Sequence, residues 1–246
     1  MSLVESDWLE KNLNRVKIID CSWHMPTTGR NGFDEYKIQH LDGAIFFDLD
    51  FNSKKDTELP HMLVKINDWK EIVSKMGIKN NDEIIIYDNS DVVSACRCWF
   101  NFIYFGHNPK LVHVLNGGLK KWLLENRKVT TDLPKSKVSD YKCVEKKELV
   151  KNKNLIDQNI EAQKFKLIDA RSKERFEGKV PEPRKGLRSG KIKNSFCIPF
   201  NECLNENKTF KNKDELKKIF KSCLENISEK NIVFSCGSGV TACVLA

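Results

Sequence analysis

The apolar residues of this chain form short runs rich in Val, Ile and Phe, and segments with helical spacing separate these runs. The first half has four runs with strand composition: residues 16–20 (VKIID), 44–49 (AIFFDL), 83–87 (EIIIY) and 111–115 (LVHVL). Helical periodicity covers residues 67–76, 93–105 and 119–125. Strands that alternate with helices are typical of an α/β protein with a largely parallel sheet.

The second half repeats this order. Its predicted strands are residues 166–170 (KLIDA), 195–200 (SFCIPF) and 231–235 (NIVFS), with a helix over 214–224 before the last strand. Asp20 corresponds to Asp169 and Ile84 to Ile232, so the two shifts along the chain differ by a single residue. A shift that stays constant over such a distance indicates a duplicated domain.

A polar segment separates the two copies. Residues 131–140 (TDLPKSKVSD) contain one Pro and show no hydrophobic periodicity, which is typical of a linker. We therefore predict a first domain over residues 1–130, a linker over 131–140 and a second domain over 141–246.

The duplication singles out one cysteine. Cys236 directly follows the strand NIVFS, and the corresponding residue of the first half is Asp88. Open α/β sheets bind their ligands outside the carboxyl ends of the strands, so Cys236 is placed for chemistry. An aspartate cannot carry a sulfane sulfur, which predicts a catalytic second domain and a supporting first domain.

Composition and charge narrow the function classes. The nine cysteines include no C-x-x-C pair, so we expect neither a metal site nor a cofactor held by cysteines. The net charge of +8 comes from lysines spread along the chain among acids, without the aromatic and basic pattern of nucleic-acid binding. Residues 1–11 carry three acids and no apolar run, and no stretch is apolar enough to span a membrane. We expect a cytoplasmic protein that binds neither nucleic acid nor membrane.

The loop that begins at Cys236 has the composition of an anion site. Gly237 and Gly239 allow successive backbone N–H groups to point inward, and an apparent helix follows from residue 242. A thiol at the centre of such a loop is expected to be held as thiolate, an effective nucleophile. The alternative is a buried cysteine before a Gly-rich turn. A loop of this kind is weak evidence alone, and its position after a repeated strand strengthens it.

An arginine cluster lies in the loop after the strand KLIDA. It consists of Arg171, Arg175, Arg184 and Arg188, and the segment is stiffened by Pro181 and Pro183. Guanidinium groups bind carboxylates in bidentate fashion, so the cluster predicts an anionic substrate. The alternative is a solvated loop whose arginines pair with Glu174, Glu177 and Glu182. We expect that alternative for Arg171 and Arg188 more than for the other two.

These two segments carry a family resemblance. The loop 236–242 (CGSGVTA) and the run 175–184 (RFEGKVPEPR) resemble the 3-mercaptopyruvate sulfurtransferases, relatives of thiosulfate sulfurtransferase, or rhodanese. In the first half the same resemblance covers residues 22–30 (SWHMPTTGR), 43–48 (GAIFFD), 105–107 (FGH) and 114–122 (VLNGGLKKW). The resemblance implies two tandem rhodanese-like domains and sulfur transfer through a persulfide.

The resemblance also implies roles for residues. Cys236 is the persulfide-forming nucleophile, Ser238 lies beside the reacting sulfur, and Arg175 and Arg184 hold the substrate carboxylate. Asp48 and His61 match first-half positions that are proposed to form a relay with that serine, although the segment between them is longer than the family pattern. The remaining loop residues are assigned to substrate binding: Gly237, Gly239, Val240 and Thr241. The implied partners are a small-molecule sulfur donor and a thiol acceptor, such as a thioredoxin-like protein; no metal or organic cofactor is implied.

The residues after the cysteine bear on the donor. Thiosulfate-specific relatives carry basic side chains there, whereas Gly237 and Ser238 are neutral and favour the monoanion 3-mercaptopyruvate. Thiosulfate:cyanide sulfurtransferase and a non-catalytic sulfur-carrier module remain alternatives. A cysteine phosphatase is disfavoured, because its loop needs an arginine where this chain has Ala242.

The two halves differ after their corresponding strands. Asp88 is followed by a predicted helix, strand and second helix, whereas ten residues follow Cys236. Related catalytic domains continue with a strand and a helix. We therefore expect the second domain to lack its C-terminal strand and helix, so that the strand 232–235 has an open edge.

Overall fold

The computed structural model describes residues 2–224 and 231–246. The chain divides into two compact units: unit 1 is Met1–Lys147 with Glu206–Thr209, and unit 2 is Glu148–Asn205 with Phe210–Ala246. The division falls after Lys147, beyond the predicted linker. Residues 131–140 lie within unit 1, where Ser139 N–H donates to the Ser74 carbonyl at 2.9 Å and Tyr141 is fully buried.

Unit 1 is built on a five-stranded parallel sheet. Its strands are β1 (Leu3–Val4), β2 (Lys17–Asp20), β3 (Ile45–Phe46), β4 (Ile84–Tyr87) and β5 (Val112–Leu115). Their order is β1-β5-β4-β2-β3, and every pairing is parallel. The predicted strands 16–20, 83–87 and 111–115 are thus confirmed, and β1 adds an edge strand too short to show a period.

The helices of unit 1 lie between these strands. They are α1 (Ser6–Glu10), α2 (Gly32–Ile38), α3 (Ile66–Lys75), α4 (Ala95–Tyr104) and α5 (Gly118–Leu124), with 3-10 turns at Leu13–Arg15, Pro26–Thr28 and Pro109–Leu111. In α3, Trp69 and Val73 lie one turn apart on the buried face, and Gly77 with φ of +69° ends the helix region. α3, α4 and α5 confirm the three helical periodicities of the first half.

Unit 2 contains a three-stranded parallel sheet among its described residues. Its strands are β6 (Lys166–Asp169), β7 (Phe196–Cys197) and β8 (Ile232–Ser235), in the order β7-β6-β8. Its helices are α6 (Lys153–Ala162), α7 (Lys173–Phe176), α8 (Lys213–Leu224) and α9 (Ala242–Leu245), with 3-10 turns at Lys147–Leu149 and Phe200–Cys203. The mixed α/β fold with parallel sheets flanked by helices agrees with the prediction.

Strand register confirms that the two units repeat one pattern. In unit 1, β2 pairs with β4 from Lys17↔Ile84 to Asp20↔Tyr87. In unit 2, β6 pairs with β8 from Lys166↔Ile232 to Asp169↔Ser235. The residue after each second strand is therefore Asp88 in unit 1 and Cys236 in unit 2, as the constant shift predicts.

Two predicted strands are shorter than their apolar runs. Of residues 44–49 only Ile45–Phe46 is strand, because the chain turns at Asp48, whose side chain accepts the Phe51 N–H at 2.7 Å. Of residues 195–200 only Phe196–Cys197 is strand, because Pro199 has no N–H to donate and begins a 3-10 turn.

Each unit has its own core. Unit 1 buries Leu9, Ile18, Tyr36, Ile85 and Trp122 in one cluster, and unit 2 buries Ile168, Ala170, Ile198, Cys203 and Leu245 in another. Among the residues that the structure describes, no helix combines the length and apolar composition needed to cross a membrane.

Candidate active site

The Cys236 loop leaves the carboxyl end of β8 and turns back into α9. Cys236 is half-buried, and its Sγ accepts a hydrogen bond from the Gly239 N–H at 3.1 Å. Gly239 has φ of +75°, a conformation that favours glycine, and this conformation accompanies the inward-pointing N–H. An N–H donor aimed at sulfur stabilises negative charge on it, and the anion-binding role of the whole loop stays a prediction.

The rest of the loop is partly or fully buried. Val240 is buried, Ser238 and Thr241 are half-buried, and the Cys243 thiol donates to the Gly239 carbonyl at 3.1 Å. The bond from Cys243 fixes the Gly239 peptide from behind, while the Gly239 N–H faces Cys236. The turn is therefore held by its own side chains.

Arg184 joins the arginine segment to this loop. Its Nη2 donates to the Gly237 carbonyl at 2.7 Å, one residue from the cysteine. The predicted substrate arginine and the predicted nucleophile thus lie in one site. Because the guanidinium has further N–H groups, it can hold an anion while keeping this bond.

Arg175 approaches the same glycine from α7. Ser172 caps this helix by accepting the Arg175 N–H, and Arg175 Nη2 lies 3.3 Å from the point where a Cβ on Gly237 would stand. A side chain at position 237 would crowd the guanidinium. Gly237 therefore contributes by leaving room for Arg175 beside the cysteine loop.

Two acidic residues bind Arg171 and Arg175. Asp169 forms a fork with Arg171, and Glu182 bonds both Arg171 and Arg175. Hydrogen bonds from Arg175 are the main reason that the pKa of Glu182 is lowered. Arg171 pairs with Glu182 as expected, but Arg175 does so too. Arg188 is exposed and donates to the Lys191 carbonyl at 3.2 Å.

Another cysteine ends a strand of the same sheet. Cys197 lies at the carboxyl end of β7, where it pairs across Asp169. Burial raises the pKa of its thiol to about 11, with Asp169 adding to the effect. A raised pKa leaves less thiolate at neutral pH and so lowers the nucleophilicity of the Cys197 thiol.

In unit 1, the structure pairs His61 with Asp50. His61 Nε2 lies 2.8 Å from Asp50 Oδ1, and Asp50 Oδ2 accepts the Trp23 indole N–H at 2.8 Å. The bond to His61 is the main cause of the lowered pKa of Asp50. Asp48 instead closes the turn described above. Asp48 and Asp50 are two residues apart in the run FFDLD, and the shorter spacing from Asp50 to His61 was the available signal that distinguishes them.

The His61 side chain is enclosed. It is 3% exposed, the Trp23 ring packs edge-on against it with centroids 4.8 Å apart, and its Nδ1 has no hydrogen-bond partner within the described residues. Ser238 belongs to unit 2, and the relay that joins it to His61 stays a prediction.

Comparison with known proteins identifies the family. The sequence profile of the rhodanese-like domain matches residues 5–125 and 152–246. This chain belongs to the rhodanese family.

Several relatives match this chain over nearly its whole length. Thiosulfate/3-mercaptopyruvate sulfurtransferase 1, mitochondrial, of Arabidopsis thaliana is 40% identical over 99% of this chain and 70% of its own. The 3-mercaptopyruvate sulfurtransferase of Mus musculus is 34% identical, over 98% of this chain and 83% of its own. The crystal structure of the 3-mercaptopyruvate sulfotransferase SseA from Escherichia coli superposes with a TM-score of 0.88 and 29% identity, covering 100% of this chain and 92% of SseA. This protein is an enzyme of the sulfurtransferase class.

The sequence did not predict two residues that bind predicted site residues. Asp50 holds His61, and Glu182 connects Arg175 to Arg171. Glu182 was assigned only to the alternative of a solvated loop, yet its side chain is 5% exposed. Its place between two prolines, 181 and 183, was the available signal, since stiff segments hold charged side chains in fixed pairs.

Proposed function

We propose that this protein transfers sulfur from 3-mercaptopyruvate, through a persulfide on Cys236, to a thiol acceptor and releases pyruvate. The observation that carries the proposal is the convergence of Arg184 and Arg175 on Gly237, the residue next to the nucleophile. A small donor whose carboxylate binds these guanidinium groups has its sulfur within reach of Cys236.

The proposed first step breaks the carbon–sulfur bond of the donor. The Cys236 thiolate attacks the donor sulfur, and the bonding electron pair leaves with carbon as pyruvate enolate. The enolate gains one proton, which balances the proton of the donor thiol, and Cys236 keeps the sulfur as a persulfide anion. The Gly239 N–H, which points at Cys236 Sγ, stabilises the sulfur charge.

In the proposed second step an acceptor thiolate attacks the outer sulfur. This forms the acceptor persulfide and returns the Cys236 thiolate, so no external oxidant or reductant is consumed. The acceptor is a thiol, such as one on a thioredoxin-like protein, or cyanide. Ser238 is proposed to assist the proton transfer beside the sulfur. The proposed relay continues with His61, and Asp50 replaces Asp48 as the partner of that histidine.

The second candidate donor is thiosulfate. Relatives of this chain are named for one donor, the other or both. The neutral Gly237 and Ser238 support 3-mercaptopyruvate, because a dianion would gain from basic side chains at these positions. The cytoplasmic location stays a prediction, and the Arabidopsis relative is named as mitochondrial.

Pyruvate release from 3-mercaptopyruvate, measured with a thiol acceptor, tests the proposal. Arg175→Ala and Arg184→Ala should each lower kcat/KM by about 2–4 kcal/mol in transition-state free energy, the range for losing a charge-assisted pair. Arg188→Ala is the matched control, because Arg188 is an exposed arginine of the same loop and should leave kcat/KM unchanged.

Other outcomes separate the alternatives. Turnover of thiosulfate without pyruvate release would favour the second donor. Failure to turn over either donor, with the fold intact, would favour the non-catalytic carrier module. Wild-type kinetics in both Arg175→Ala and Arg184→Ala would mean that the carboxylate binds elsewhere.

A further inference from the structure

Glu182 is an acid inside the proposed substrate-binding arginine cluster. Its side chain is 5% exposed. Oε1 accepts from Arg171 Nη1 at 2.7 Å and from Arg175 Nε at 3.1 Å, and Oε2 accepts from Arg175 Nη2 at 2.6 Å. Both carboxylate oxygens are therefore engaged, and the directions of all three N–H donors are fixed by planar guanidinium groups.

This fork decides which edge of Arg175 is free. The Nε/Nη2 edge binds Glu182, which leaves Nη1 and the second hydrogen of Nη2 for a ligand. Nη2 is also the atom that stands beside Gly237. Glu182 thus turns the free edge of Arg175 toward the cysteine loop, and the bond from Arg171 keeps Glu182 in place.

Glu182 also sets the charge that a donor meets. The cluster contains three guanidinium groups, those of Arg171, Arg175 and Arg184, and the two carboxylates of Asp169 and Glu182, which pair with Arg171 and Arg175. One net positive charge remains in the cluster. This charge matches one carboxylate, as in 3-mercaptopyruvate, and is one short of neutralising a dianion such as thiosulfate.

We propose that Glu182 is a positioning and specificity-determining residue, which orients Arg175 for a carboxylate and disfavours dianionic sulfur donors. This inference rests on the proposed function, because it concerns the choice of donor at the same site. It assigns Glu182 an action through Arg175 and no contact with the reacting sulfur.

The central test compares Glu182→Gln with the wild type on both donors. The amide keeps the shape and one acceptor oxygen but removes the negative charge, so the cluster gains a net charge. A dianion gains more from that charge than a monoanion. We expect the ratio of kcat/KM for thiosulfate to kcat/KM for 3-mercaptopyruvate to rise roughly tenfold or more, with the loss for 3-mercaptopyruvate mainly in KM.

Glu177→Gln is the matched control. Glu177 lies on the same segment, is exposed and pairs with Lys179. Its charge is screened by water, so its removal should leave the donor ratio unchanged. Where thiosulfate turns over too slowly to be timed, its inhibition constant against 3-mercaptopyruvate serves as the dianion readout.

Glu182→Asp separates charge from position and serves if Glu182→Gln does not fold. Aspartate keeps the charge but is too short to make the same fork. Its KM for 3-mercaptopyruvate should rise while the donor ratio stays near that of the wild type. An unchanged KM would overturn the positioning role.

An unchanged donor ratio in Glu182→Gln would overturn the selectivity. If both donors also lost kcat/KM equally, the role of Glu182 would be structural only. A wild type that turns over neither donor would instead overturn the proposed function, so the two failures are distinguishable.

Discussion

Strands β4 and β8 hold the same place in the repeat and differ in their surroundings. β4 lies between β2 and β5, and all four of its residues are buried. β8 pairs with β6, the one strand beside it in the described part of the chain, and all four of its residues are half-buried. Two strands with the same register are therefore enclosed to different degrees.

The residues after these strands differ in the same sense. Asp88 is buried, and its carboxylate accepts the Ser90 and Ala95 N–H groups at 2.9 and 2.7 Å. Burial raises the pKa of Asp88 to about 7. Cys236 is half-buried, with the Gly239 N–H on its sulfur. In unit 1 the carboxylate after the strand is bound by backbone N–H groups of its own loop. In unit 2 the Cys236 sulfur after the strand remains partly accessible.

The largest expected effect separates the two strand ends by catalysis. Cys236→Ser should lower sulfur transfer by roughly 10⁴-fold or more, because the hydroxyl cannot form a persulfide and no neighbour replaces it. Asp88→Cys, which places a thiol at the corresponding position, should neither take up sulfur nor restore transfer in Cys236→Ser. Mass spectrometry after donor treatment should find one added sulfur atom, on Cys236.

Cys143→Ser is the control for nonspecific effects of replacing a cysteine. Cys143 lies in unit 1, so the variant should keep the wild-type activity. A persulfide mapped mainly to Cys96, Cys98 or Cys243 would show that the nucleophile is wrongly assigned.

The next effect concerns stability and pH at Asp88. Its pKa is raised from 3.8 to about 7, so between these values the folded state binds more protons than the unfolded state. The stabilisation is therefore full below about pH 4 and is lost as pH rises through about 7. The free energy of unfolding of unit 1 should fall across this window by at most ~4 kcal/mol, and Asp88→Asn should flatten the fall.

Urea denaturation near pH 5 and pH 8, followed by tryptophan fluorescence, measures this because all five tryptophans lie in unit 1. Asp91→Asn is the control, since Asp91 is largely exposed and should keep the wild-type pH slope. A pH slope in Asp88→Asn equal to that of the wild type would place the titration elsewhere.

The smallest expected effect is in backbone protection. Amides of β4 should exchange with solvent at least about tenfold more slowly than those of β8, because a strand paired on both sides opens only with its neighbours. Native-state hydrogen exchange followed by mass spectrometry resolves the two segments. Equal protection of residues 84–87 and 232–235 would show that β8 is enclosed as well as β4.

The sequence alone determined the backbone plan of both units. Four-residue apolar runs such as IIIY in β4 and IVFS in β8 have the length and composition of buried parallel strands, and the constant shift between the halves predicted their register. The same shift paired Cys236 with Asp88. This correspondence could be predicted without a structure, because the position of a loop after a strand follows from the local pattern and the topology.

The tertiary structure alone decided which charged side chains meet. Asp48 and Asp50 are two residues apart and chemically the same, yet only Asp50 reaches His61. The sequence allows Glu182 to form an exposed ion pair as Glu177 does, but its side chain is enclosed between Arg171 and Arg175. Hydrophobic periodicity states which face of an element is buried, whereas an ion pair requires two groups to come within about 3 Å in a loop. That distance depends on turns and packing which no repeat along the chain encodes.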